Sequence, residues 1–298
     1  MGFICDGITK SYKDFRIEDI RFELPKGYVL GVIGRNGSGK STLLNALLGL
    51  FPGMSGDAAI DGMSLKNSPK EYKEGLAFVL NTTPFSMLDT PKQIGLNYGI
   101  YYKSFSMETY CSLLKKYEVP ANRWLSSLSE GQLVRQQIAF ALAHDAKVLV
   151  LDEPAGNLDV AFREEFYRML RTIVADGERT VICSSHLMEE LEQISDYILY
   201  LKREGEVSRV RYYGTAEELR EQYRIISCSA EAFERLSQAE VASEIVGGRL
   251  REGHSEVLVK KEAIEKLGAY LTSEDRESIR YADLKEIMYY LEKGKVTA

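Results

Sequence analysis

Residues 34–42 read Gly-Arg-Asn-Gly-Ser-Gly-Lys-Ser-Thr and follow the apolar run Val29–Ile33, with an apolar helical stretch, Thr42–Leu50, behind them. Strand, glycine-rich loop and helix in that order form a phosphate cradle. Glycines let the backbone turn until successive N–H groups face one point, and the new helix adds its positive end. Gly34, Asn36, Gly37, Ser38, Gly39 and Thr42 form the candidate cradle. Lys40 reaches the β- and γ-phosphates, and the Ser41 hydroxyl is a ligand for Mg²⁺. A second element, Val148-Leu-Val-Leu-Asp152-Glu153-Pro154, is an apolar strand ending in two carboxylates, 112 positions after Lys40. A strand buried on both faces carries charge only where it leaves the core, at the edge where parallel sheets bind ligands. Asp152 is placed there to hold Mg²⁺ directly or through water. Glu153, pointing away from Asp152 by strand alternation, is a candidate general base for an attacking water. Third, Ser129 and Gln132 form a Ser-x-x-Gln capping box at the start of a helix over 130–144, offering its N-terminus to an anion.

The elements that must position these residues alternate. Strands at 147–151, 180–184 and 198–202 are interleaved with helices at 162–174 and 189–195, the rhythm of a mainly parallel sheet with covered faces. Residues 85–145 differ, with aromatics at helical spacing and an amphipathic run over 107–118, and read as a helical insert. A capping box at Thr215 and Glu218 opens a new helix, so the domain boundary falls at about 213–216. The chain thus divides into an α/β domain over 1–213 and a small α+β domain over 216–298. The latter is expected to hold a hairpin (245–250 with 256–260) and helices over 261–271 and 284–292. A chain of 298 residues has room for two such cores.

Composition narrows the classes. Lys and Arg total 38 against 44 Asp and Glu, a net charge of −6, which supplies no field to recruit nucleic acid or an anionic membrane surface. No run approaches the ~18 apolar residues of a membrane span, and the first residues lack the basic and apolar regions of a secretory leader. The four cysteines, Cys5, Cys111, Cys183 and Cys228, are widely spaced and read as buried thiols of a reducing compartment, not as a disulfide frame or zinc site.

With phosphate loop, acidic strand and Leu128-Ser129-Glu130-Gly131-Gln132 all present, residues 1–213 resemble the nucleotide-binding subunits of ABC transporters. The resemblance implies a P-loop NTPase fold of ABC type, with an N-terminal antiparallel β region, and ATP hydrolysis with Mg²⁺. It implies that Tyr12 stacks on adenine and that Ser129, Gly131 and Gln132 contact nucleotide. Asn157-Leu158-Asp159 would fill a loop that joins two subunits, and His186 would contact the γ-phosphate. At the strand end where the family usually carries Gln, this chain has Asn81, the same amide on a stem shorter by one methylene, as metal and nucleotide ligand. The resemblance further implies a homodimer or paired ATPase whose Ser129 faces the nucleotide on the other copy's Lys40. It places the chain in the cytoplasm on the inner face of the membrane, bound to a separate permease. The aromatics Phe85, Tyr98, Tyr101, Tyr102 and Phe105 lie where the family docks helices of that permease; for most of them taken singly, core packing within the insert is the favoured reading. The segment over 284–292 is similar to the closing helix of ABC-2-type exporter ATPases, which implies export. Two other readings use the same motifs: a soluble ABC-type ATPase acting on a protein or nucleic-acid assembly, and a nucleotide-binding regulatory module that hydrolyses little. Net charge speaks against the first, Glu153 and His186 against the second.

Overall fold

In a computed structural model of the chain, residues 2–80, 83–156, 158, 160–185, 188–238, 240–251 and 254–293 are described. They fall into two compact units, Met1–Tyr213 and Gly214–Ala298.

The first unit opens with β1 (Gly2–Ser11), β2 (Arg16–Pro25) and β3 (Val29–Ile33), followed by α1 (Lys40–Leu47), β4 (Ser55–Ile60), β5 (Met63–Ser64), α2 (Pro69–Glu74) and β6 (Leu76–Leu80). The insert supplies α3 (Pro91–Tyr98), α4 (Met107–Lys116) and α5 (Glu130–Ala143). Then come β7 (Val148–Asp152), α6 (Val160–Val174), β8 (Thr180–Ser184), α7 (Met188–Ile194), β9 (Tyr197–Glu204) and β10 (Val207–Thr215). One sheet runs β5-β4-β1-β2-β10-β9-β3-β8-β7-β6. β6, β7, β8, β3 and β9 are parallel neighbours, whereas β1 pairs antiparallel with β2 and β4. The mainly parallel sheet with an antiparallel N-terminal region is therefore present.

Residue pattern explains each part. β3 is buried at all five positions, and β7 at all but its last, Asp152. Continuous apolar runs suit strands covered on both faces. β2 alternates, burying Ile17, Ile20, Phe22 and Leu24 between charged neighbours, as a strand with one wet face must. α1 packs Leu43, Leu44 and Leu47 into the core, and the buried Tyr72 hydroxyl donates to the Leu47 carbonyl at 2.7 Å. The insert has its own core, with Tyr110, Leu114, Leu125 and Phe140 at its centre and Phe85, Tyr102 and Phe105 packed on it. Capping boxes at Thr90 and Ser129 start α3 and α5.

The second unit holds α8 (Ala216–Gln222), β11 (Tyr223–Cys228), α9 (Ala230–Gln238), β12 (Ile245–Arg251), β13 (His254–Lys260), α10 (Ile264–Leu267), α11 (Ser273–Glu277), β14 (Arg280–Tyr281) and α12 (Leu284–Lys293). Its sheet, β12-β13-β11-β14, is antiparallel throughout. The hairpin and the closing helix stand as expected. The single helix over 261–271 does not form: α10 spans four residues between two 3₁₀ turns, Lys261–Ala263 and Gly268–Tyr270. Gly268 costs a helix ~1 kcal/mol relative to alanine, and it stands where the four-residue α10 ends. The cysteine reading needs one correction too. Cys5, Cys183 and Cys228 are buried, but Cys111 is exposed, because it stands on the outer face of α4, whose Tyr110 and Leu114 point inward.

Candidate functional site

The phosphate loop follows β3 at the carboxyl edge of the sheet. Gly37 and Gly39 adopt φ of 79° and 94°, a left-handed backbone that side chains rarely tolerate. Gly39 is also hemmed in: a Cβ there would lie 2.6 Å from Ile17 Cγ2 and 2.8 Å from Phe15 Cζ. It starts α1 without a side-chain cap, so the first-turn N–H groups are left for a ligand. The Ser208 hydroxyl, on β10, donates to the Ser38 carbonyl and anchors the loop from a distant strand. Ser38 itself is buried and contributes through its backbone.

Lys40 is 5% exposed, and its ammonium donates to the Gly34 carbonyl at 2.9 Å while standing 3.9 Å from Glu153 Oε1. Burial lowers its pKa, and the charges of Glu153 and Asp152 oppose that shift. A phosphate entering here would add further negative charge in favour of the ammonium.

Asn36, Gly37, Gly39, Lys40, Ser41 and Thr42 line one cavity of about 660 Å³ together with Asp152, Glu153, Phe15 and Arg203. Glu153 does not continue the strand, as alternation required. β7 ends at Asp152, and Glu153 turns at φ 46°, which brings both carboxylates to the same cavity. A relay through the fully buried Ser184 holds the turn. The Glu153 N–H donates to Ser184 Oγ at 3.0 Å, and that hydroxyl donates its own proton to Asp152 Oδ1 at 2.6 Å. The Ser41 hydroxyl and the Asp152 carboxylate are hard oxygen donors on one cavity. They fit Mg²⁺, which takes one or two protein oxygens and otherwise keeps water and substrate phosphate. Among the described residues no group of three or more His, Cys, Asp or Glu gathers to hold a metal unaided, in keeping with an ion shared with a phosphate.

Other expected residues lie elsewhere. Tyr12 is outside the cavity lining: it stacks on Phe15 at 6.3 Å and meets Phe51 edge-on, 46% exposed. The aromatic facing the cavity is Phe15, with the Arg203 guanidinium 4.8 Å from its ring. Ser129, Gly131 and Gln132 open α5 and line no part of the cavity. Ser129 Oγ accepts from the Gln132 N–H at 3.3 Å, and Gln132 Oε1 accepts from the Ser129 N–H at 3.1 Å. Asn81, Asn157, Asp159 and His186 lie outside the described residues. In the insert, Phe85, Tyr98, Tyr101 and Tyr102 line a separate cavity of about 370 Å³, while Phe105 packs on Phe140 at 5.2 Å. Sequence reasoning missed Phe15, Arg203 and Ser184. Ser184 carried no signal of its own, because only the register of β8 on β7 sets it beside Asp152.

A glycine-rich cradle, a buried lysine and two carboxylates at the end of a parallel strand, with a helical insert carrying a capped serine, define a P-loop nucleotide-binding cassette. The chain belongs to the ABC transporter ATP-binding proteins, a family of ATPases: residues 17–156 match the family model described as ABC transporter. The chain is 30% identical over 221 residues to the Nod factor export ATP-binding protein I of Rhizobium leguminosarum bv. viciae, covering 71% of this chain and 70% of that protein. It is 33% identical over 227 residues to the sulfate/thiosulfate import ATP-binding protein CysA of Synechocystis sp., covering 74% of this chain and 62% of the relative. Against the ABC transporter ATP-binding protein YtrB of Bacillus subtilis it is 27% identical over 209 residues, covering 70% and 69%. Among solved structures, an ATP-binding subunit of an ABC transporter superposes with a TM-score of 0.65 at 22% identity, covering 74% of this chain and 92% of that one. A dimeric ATP-binding cassette in a post-hydrolysis state bound to ADP and Pi gives 0.62 at 24%, covering 72% and 98%. Among the described residues no helix is long and apolar enough to cross a membrane.

Proposed function

We propose that this chain hydrolyses ATP to drive transport, in the direction of export, through a separate membrane permease, and that two copies close head to tail around two nucleotides. The observation that carries this reading is the separation of two half-sites. Lys40, Ser41, Asp152 and Glu153 share one cavity, whereas Ser129 stands exposed at the start of α5, outside that lining. A helix N-terminus suited to a γ-phosphate but unable to serve its own loop is completed by a second copy, and a twofold pair makes two such sites.

In this mechanism the loop N–H groups and Lys40 bind the β- and γ-phosphates and hold the terminal phosphate in line. Ser41 and Asp152 would hold Mg²⁺, which would supply charge neutralisation on the phosphate oxygens. The Glu153 carboxylate polarises the attacking water, and Ser184 keeps that carboxylate's turn in register with Asp152. Tyr12 and Phe15 offer aromatic surface to the base; Asn81 and His186 are the remaining candidates for contact with metal and γ-phosphate. The γ-phosphate closes the pair and its loss releases it, an order-and-release switch. The aromatic cavity of the insert is the docking face for the permease. Export follows the likeness of 284–292 to exporter ATPases, while the relatives carry both import and export names. The second unit is assigned an accessory, regulatory or dimer-stabilising role.

The test is light scattering on a Glu153→Gln variant, which binds ATP and cannot turn it over. A dimer is expected with ATP and Mg²⁺ and a monomer with ADP. A variant that stays monomeric in saturating ATP refutes the proposal.

A further inference from the structure

Strand β6 is the last of the large sheet, so among the described residues the peptide groups on its outer side have no neighbouring strand. At its final residue, Leu80, that side is closed by a single side chain. Gln137 of α5 accepts from the Leu80 N–H through Oε1 at 3.0 Å and donates from Nε2 to the Leu80 carbonyl at 3.1 Å. Its amide matches both backbone groups of one residue, as a paired strand would. Gln137 is 3% exposed, and Nε2 also lies 3.5 Å from the Leu133 carbonyl of its own helix. Across the strand, Leu80 is registered against Asp152 of β7. The next helix position, Gln136, is as deeply buried but turns the other way, donating to the Tyr110 hydroxyl at 2.8 Å inside the insert.

We propose that Gln137 is a positioning residue of the ATPase site: its amide stands in for a missing strand at Leu80 and fixes the strand end against which Asp152 is set. The same side chain joins that end to the helix that begins at Ser129, so the two half-sites are linked within one copy by a short, rigid contact. An unmade bond at this edge would leave two half-buried peptide groups unpaired and free the strand end to shift.

The inference rests on the ATPase reading, and the test separates the two. Purified full-length chain is compared as wild type, Gln137→Met, Gln137→Glu, Gln136→Met and Glu153→Gln. Gln137→Met is expected to lower kcat about tenfold with ATP affinity unchanged, since misplacement by a fraction of an ångström acts on the reacting geometry and not on binding. Gln136→Met is expected to lower the melting temperature as much while leaving kcat as in wild type. Gln137→Glu gives a chemical signature. Its carboxylate accepts from Leu80 N–H but faces the carbonyl without a proton, so kcat should recover toward wild type as pH falls from about 8 to about 6 and the acid regains a donor. An unchanged kcat in Gln137→Met, or an equal loss in Gln136→Met, overturns the inference. Should Glu153→Gln fail to abolish wild-type turnover, it is the ATPase reading that falls. Hydrogen exchange then still decides the contact: faster exchange of the Leu80 amide in Gln137→Met, with β3 unaffected, supports it, and unchanged exchange overturns it.

Discussion

Ser184→Ala tests the central geometry of the site. The hydroxyl is fully buried, accepts from the Glu153 N–H at 3.0 Å and donates to Asp152 Oδ1 at 2.6 Å. One of these bonds is charge-assisted and contributes ~2 kcal/mol; the other is neutral and contributes ~1 kcal/mol. Alanine removes both, but the Glu153 N–H keeps a second bond, 3.2 Å to the Ser184 carbonyl, so the Asp152 bond is the main loss. A loss of about 2 kcal/mol in a unit of this size corresponds to a fall of about 4–8 °C in melting temperature. The functional loss should exceed what instability explains, because the relay sets the positive-φ turn that brings Glu153 round beside Asp152. Turnover is expected to drop at least about tenfold at a temperature where the variant is fully folded. Ser184→Thr keeps the hydroxyl and adds a crowded methyl, so it should melt early yet turn over ATP. Scanning calorimetry and a phosphate-release assay on the three proteins give the answer. An alanine variant that melts within about 2 °C of wild type and hydrolyses ATP normally would refute the relay, since the bonds drawn here are incompatible with so small an effect.

Two further outcomes follow from the same coordinates. Gly39→Ala asks a left-handed backbone to carry a methyl 2.6 Å from Ile17 and 2.8 Å from Phe15; ATP affinity measured by calorimetric titration should fall by at least about a hundredfold, as distortion of the cradle removes several N–H contacts at once. His144 is buried, stacked on Tyr102 at 4.1 Å, with Nδ1 3.0 Å from the Phe140 carbonyl. Burial lowers its pKa below 6.5, against the opposing pull of that carbonyl. The unfolded chain therefore takes up a proton first as pH falls through about 6.5, the folded chain only at lower pH, and stability declines across that window. Urea titrations of wild type and His144→Gln at several pH values should show a shallower decline in the variant.

Much of this molecule is legible in its residues because the strongest signals are local. The phosphate loop needs only its own glycines and the apolar run before it, and β3 and β7 announce themselves by short unbroken runs without charge, five positions in β3 and four in β7. The capping boxes at Ser129 and Thr215 are short-range hydrogen-bond patterns, and both close as written. What the sequence hides depends on pairs far apart. Glu153 turns instead of alternating because Ser184, 31 positions on, takes its N–H. Phe15 faces the cavity and Tyr12 does not because Gly39 and Arg203 press on one ring and not the other. In the second unit, β11 and α9 follow each other with no glycine or proline between them, and the only punctuation is Ser229, whose hydroxyl accepts from the Ala232 N–H at 3.1 Å. Cys111 shows the limit of composition: burial follows the face of α4, not the residue type.

The order of the large sheet bears on how the protein is made. β3, which ends at the phosphate loop, lies between β8 and β9, and β2 pairs with β10. The loop's own anchor, Ser208, is 170 positions away from Ser38. A ribosome therefore releases the loop long before its partners on β7 to β10 exist. For most of synthesis the first three strands have only one another and β4 to pair with, and an apolar β3 must wait, exposed, for more than half the chain. Closure of loops this long is slow, and unpaired strands attract chaperones or one another in the interval. The nucleotide cradle is thus among the first segments to be translated and among the last to become rigid, so that nascent chains too short to include β10 are unable to hold a phosphate.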